Sequence, residues 1–131
     1  PKLARTRLGP GQIHLSNVHG AFEAPRDSGD ARPVFVVTGR VTNNAPVAAE
    51  RIDLSVRLVG TETTSERVTC TGAVVNVAQF KAQELALVTK LHRSRSARVA
   101  PGASIVCQAV FFDYPAGLRT VSVDVASAQG R

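Results

Sequence analysis

Methionine and tryptophan are absent from this 131-residue chain, and aromatic residues make up only 5% of it. With β-branched residues dominating the apolar set, that scarcity favours strands over a helical bundle. No stretch approaches the roughly 20 consecutive apolar residues that span a bilayer. The N-terminus also lacks the charged-then-apolar pattern of a signal peptide. The chemical motifs are missing as well. There is no CxxC, no HExxH and no His pair with a carboxylate at ligand spacing, which argues against a native metal site. No GxSxG elbow, P-loop or GxGxxG occurs, so the glycines read as turn punctuation rather than as a phosphate cradle. His14 and His19, five residues apart, would fall on opposite faces of a regular strand. The expectation is a protein that is not an enzyme, with no catalytic residues, no metal, no cofactor and no small-molecule substrate.

What is present points to one folded domain. Hydrophobic residues are 44% and charged residues 20% of the chain, the composition of an ordinary globular protein, and the length suits a single core. The formal net charge is +6 with a pI near 10.4, which favours anionic partners without bearing on fold. Two regions concentrate the excess: Lys2, Arg5 and Arg7 near the start, and Lys90, Arg93, Arg95 and Arg98 in the segment KLHRSRSAR. Elsewhere bases and acids are interspersed, as in Glu50, Arg51, Asp53 and Arg57.

Periodicity supplies the elements. Residues 1–12, with Gly9, Pro10 and Gly11 together, read as a flexible arm or membrane-proximal linker, and residues 128–131 as a disordered tail. Between them, 13–127 reads as the folded domain. Ile13 and Leu15 begin a first strand, and the Pro-, Gly- and Asp-rich stretch 24–33 reads as a surface loop. The run VFVVTGRVTN at 34–43 is apolar on both faces in its first half and is stopped by Asn43, Asn44 and Pro46, so it is expected to be central. From 50 to 59, Ile52, Leu54, Val56 and Leu58 alternate with polar residues, one face buried and one wet. After a polar turn, Arg67, Val68, Thr69 and Cys70 alternate as the hairpin partner. Residues 77–91 break the pattern with good helix formers and a basic exit, predicting one inserted helix. Strands resume at 103–113 and 118–126. Six or so strands with hairpin-like spacing and one helix predict an all-β, immunoglobulin-like antiparallel β-sandwich.

By strand parity Cys70 and Cys107 both point into the core. They either stay as two buried thiols or pair, and a disulfide closing a loop of about 36 residues would contribute roughly 3 to 4 kcal/mol. The basic segment is the one stretch that looks like a binding footprint, although aromatics for base stacking are missing beside it. A solvated loop at a helix end has the same composition. The candidate interaction residues are Lys81, Lys90, His92, Arg93, Arg95 and Arg98.

The stretch VFVVTGRVTNNAPVAAERIDLSVRLVG resembles the opening of a bacterial Ig-like domain family of FxLYD-like type. Gly39, Val41 and Asn43 match its G-x-V-x-N core, and Val56-Arg57-Leu58-Val59-Gly60 falls where the family has its F-x-L-Y-D run, with glycine replacing the acid. The resemblance continues through CTGAVVN and VAPGASIVCQAVFFDYPAGLRTVSVDVASAQ, where P-G precedes a strand ending in F-x-D-x-P. It spans about 34–129. The family has no known function and usually follows a zinc ribbon and one transmembrane helix. The resemblance thus implies a periplasmic domain tethered to the inner membrane by a segment outside this chain, contacting an unidentified envelope protein. Binding of an anionic polymer or lipid surface through 90–98 is the alternative.

Overall fold

The alternation of Ile52, Leu54, Val56 and Leu58 against Arg51, Asp53, Ser55 and Arg57 dictates a strand with one apolar face, and a strand of that kind needs a second layer to cover it. The computed structural model supplies that layer. It describes residues 6–9, 11–27, 32–93 and 95–130. The strands are β1 (Thr6–Arg7), β2 (Ile13–Glu23), β3 (Val34–Asn43), β4 (Ala49–Val59), β5 (Thr63–Thr69), β6 (Ser104–Phe111) and β7 (Thr120–Gly130). A 3₁₀ turn at Val77–Gln79 and one helix, α1 (Ala82–Arg93), lie between β5 and β6. One sheet has the order β1-β7-β4-β5 and the other β2-β3-β6, with every pair antiparallel. The molecule is the immunoglobulin-like sandwich with an inserted helix that the sequence predicts. The predicted 77–91 helix is split, because only 82–93 is α-helical.

The inserted helix accounts for the double-faced apolar run in β3. Phe35, Val37 and Val41 point between the sheets, while Val34 and Val36 point outward and are 3% and 4% exposed. Val75, Val77 and Leu85 of the insertion cover them, together with Val110 of β6. Farther along, Thr38, Arg40 and Thr42 take over the outward positions. The insertion therefore forms a partial third layer over half of the outer face.

Asn43 is fully buried and fully bonded. Its amide donates to the carbonyls of Val47 and Val99 at 2.9 and 3.0 Å, and its side-chain oxygen accepts from the Ala45 N–H at 2.9 Å. Gly39 allows a close approach: a Cβ there would lie 3.1 Å from Leu15, a residue flanking the irregularity in β2.

Both chain ends correct the sequence reading. Residues 1–12 were expected to be a flexible arm, yet β1 pairs with β7 through Thr6↔Gly130 and Arg7↔Gln129, and Leu8 is 7% exposed in the core. Lys2 and Arg5 lie outside the described residues. Of the tail expected at 128–131, Ala128, Gln129 and Gly130 continue β7 instead, and Arg131 lies outside the described residues. A register shift opposite Asp53 and Leu54 reverses the parity of β7, so that Val121, Val123 and Val125 are followed inward by Ala128, which is 2% exposed. That shift defeats simple alternation. A Cβ on Gly130 would come within 2.9 Å of Val47 and 3.0 Å of the Ala48 carbonyl oxygen, so the last strand closes where only glycine fits without adjustment.

Parity also changes in β2. Asn17 has a φ of 53° and the register shifts between Ser16 and His19. This bulge places His14 and His19 on the same face, opposite Thr42 and Thr38 of β3, where regular alternation would oppose them. Four residues of β3 still separate their partners, roughly 13 Å at strand rise.

Candidate functional site

The helix α1 is held from its N-terminal end. The Asp27 carboxylate, from the loop after β2, accepts from the Ala82 N–H at 2.9 Å, and Glu84 accepts from the Lys81 N–H at the same distance. Together they satisfy two of the amides a helix start leaves unpaired. The Arg26 N–H donates to the Phe80 carbonyl at 2.8 Å. Leu85 is fully buried beneath the helix, with Val88 packed beside it, while Leu87 and Leu91 on the opposite side are 65% and 68% exposed.

Lys81 stands at that anchored end, and Lys90 is nine residues on, roughly 14 Å along the axis. Lys81 is therefore not part of the basic cluster. Lys90 and Arg93 are exposed and His92 is half-buried at the last turn. The chain then runs extended across the end of the sandwich. The Ala97 N–H donates to the Cys70 carbonyl at 2.9 Å, and Val99 exchanges two backbone hydrogen bonds with Ala49 at 2.8 and 2.9 Å. Arg95 and Arg98 project from this pinned stretch and are exposed. No acid occurs between Glu84 and Asp113, so the field of Lys90, Arg93, Arg95 and Arg98 has no carboxylate on its own segment to offset it.

Cys70 and Cys107 form a disulfide with Cα atoms 5.2 Å apart. Cys107 lies on β6 and Cys70 directly follows β5, so the bond ties the two sheets together. Gln108, next to it, faces outward and bonds Val75 twice: its oxygen accepts from the Val75 N–H at 2.7 Å and its amide donates to the Val75 carbonyl at 2.9 Å. One side chain thereby does for the insertion what a ladder rung does for a strand.

Under the end of α1 lies a groove with two adjoining chambers of about 200 and 530 Å³. His92 and Arg93 border the smaller, and Arg93 also borders the larger. The larger is lined by Glu62, Thr64, Glu66 and Asp113, residues that periodicity did not single out. Glu66 did carry a signal, because it shares the core-facing parity of Val68. A carboxylate at such a position marks a sheet edge that no partner layer covers.

Asp53, on the outer face of β4, is 6% exposed and surrounded by donors. Thr69 donates to it at 2.6 Å, and Arg51 and Arg67 lie 3.3 and 3.5 Å away. It braces three strands. Among the described residues no group of three His, Cys, Asp or Glu side chains is arranged to hold a metal ion, and no helix is long and apolar enough to cross a membrane. No family model, no curated protein and no solved structure matches the chain.

Proposed function

We propose that this chain is a noncatalytic protein-interaction domain of a membrane-anchored bacterial envelope protein, working in the periplasm. The observation that carries the reading is the inserted segment. It is fastened to the sandwich by Leu85, Asp27 and Gln108, and it presents Leu87 and Leu91 beside Lys90 on its outward side, with Arg93 at the end of the helix over the groove. Exposed apolar side chains set among cations suit a protein surface better than open solvent. Irregular segments on a rigid scaffold are where binding usually resides. The disulfide supports an extracytoplasmic site, because cytosolic thiols are kept reduced.

The test is photo-crosslinking in the native cell. A crosslinking residue at position 87, 90 or 95 should trap one discrete partner, and the same residue at Ser122 or Asp124 on the outer face of β7 should not. Equal trapping from both faces, or none from α1, would overturn the assignment.

The charge of Lys90, Arg93, Arg95 and Arg98, on a segment without an acid of its own, favours a second reading, capture of an anionic polymer or lipid surface. Binding of a labelled oligonucleotide or of anionic vesicles should then fall steeply with salt, and weaken in R93E/R95E/R98E. No binding to either probe at low salt would remove it.

A further inference from the structure

The sandwich is open on the side beneath α1. β5 ends one sheet and β6 ends the other, and both edges border the same groove. In register, Glu66 lies beside Val56 and Thr64 beside Leu58, so both share the core-facing side of their sheet. Both are nevertheless exposed, because the three-stranded sheet provides nothing opposite them. Core side chains Val56, Leu58 and Phe111 therefore line the larger chamber. Among the described residues lining it, Glu62, Glu66 and Asp113 are acids and Arg93 is a cation. The acidic excess is confined to the larger chamber, since Arg67, His92 and Arg93 border the smaller, and it stands out on a chain whose formal charge is +6.

The far wall is rigid. The Tyr114 hydroxyl donates to the Pro33 carbonyl at 2.6 Å, and the Arg32 guanidinium lies 3.8 Å over the Tyr114 ring while donating to its carbonyl at 2.8 Å. At the near end, the disulfide and the Gln108 bonds to Val75 hold the insertion in place. The other sheet edges are poorer templates: β1 has two residues, and β2 is broken by the bulge at Asn17.

We infer that this groove binds an extended basic peptide, added as a strand along the free edge of β6. An edge strand offers unpaired N–H and C=O groups at every second residue, which an incoming chain can pair. Inward side chains of that peptide would lie over Val56, Leu58 and Phe111. A Lys or Arg fits there, its aliphatic stem on the apolar floor and its charged head at Glu62 and Glu66. The larger chamber, about 530 Å³ and open to solvent, has room for such a side chain together with part of the peptide backbone. The inference rests on the protein-interaction reading but assigns a different face from the outward side of α1.

The experiment uses the purified, disulfide-intact protein and a fluorescein-labelled seven-residue peptide alternating Thr and Lys, followed by anisotropy. Saturable binding is expected. It should weaken roughly tenfold or more when the lysines become glutamates, and likewise for the Lys peptide in E62K/E66K, since reversed charges repel. N-methylation of alternate peptide amides on the pairing edge should abolish binding. R95E/R98E should leave the affinity within about twofold, because those arginines do not line the groove. No saturable binding, an unchanged affinity in E62K/E66K, or equal binding of the N-methylated peptide would overturn strand addition. Loss of the α1 crosslinks with peptide binding intact would count against the first assignment alone.

Discussion

Replacing Asn43 by alanine strands the amide of Ala45 and the carbonyl oxygen of Val47, and takes from the Val99 carbonyl one of its two donors, the other being the Ala49 N–H. Each stranded group costs on the order of 1 to 3 kcal/mol, so N43A is expected to lose about 3 kcal/mol, read as a shift in the urea midpoint. A loss below roughly 1 kcal/mol would mean that water enters and replaces the amide. N43D should be no better, because its second oxygen would face two carbonyls. Asp53 presents a milder case. Its arginine partners are half-exposed, so D53A leaves solvated cations and is expected to cost only about 1 to 2 kcal/mol in the same measurement. Neither role is visible from residue type alone. Asn43 reads as the residue that stops a strand, which it is, while its three contacts come from positions up to 56 residues away.

At the scale of the elements, α1 depends on the sheet it covers. Leu85→Ala removes the fully buried side chain on its inner face and is expected to cost about 3 kcal/mol. The loss should be local first: amide exchange across 82–93 should accelerate before that of β3 or β4. Uniform acceleration across all three would show that the helix and sandwich unfold as one unit. At the termini, Leu8→Ala should cost about 2 to 3 kcal/mol, because Leu8 is buried and its N–H donates to the Ala128 carbonyl at 2.9 Å. An unchanged melting temperature for L8A would contradict the docking of β1 on β7.

At the scale of the whole molecule, the disulfide is the one covalent cross-link between the two sheets, beyond the backbone itself, among the described residues. Its partners are 37 residues apart in sequence. Cross-linking a loop of that length stabilises by roughly 3 to 4 kcal/mol through the unfolded chain. The C70S/C107S variant should therefore unfold at a clearly lower denaturant midpoint, and reductant should lower the midpoint of the parent but not of the variant. Equal midpoints with and without reductant in the parent would show that the bond adds nothing.

Local pattern alone was enough to define strands β2 to β7, the sandwich class, the inserted helix and the inward aim of both cysteines. The strands follow from a period of 2 carried by contiguous residues, as in Ile52 to Leu58, and the helix from the helix formers of 77–91. The spacing of Phe80, Leu87 and Leu91 did not mark its inner face, because Leu85 is buried while Leu87 and Leu91 are exposed. The same pattern misplaced the two ends and His14 against His19, because a single bulge residue reverses parity and leaves no mark in composition. The pairing of β1 with β7 and the buried bond from Asn43 to Val99 depend on residues brought together only by the fold. So does the groove. Glu62, Glu66, Asp113 and Phe111 lie on separate stretches of chain, and what joins them is that β5 and β6 end their sheets on the same side. Periodicity decides which side of a strand is apolar; which strands stand at an edge, and what those edges enclose, is decided only when the two sheets meet.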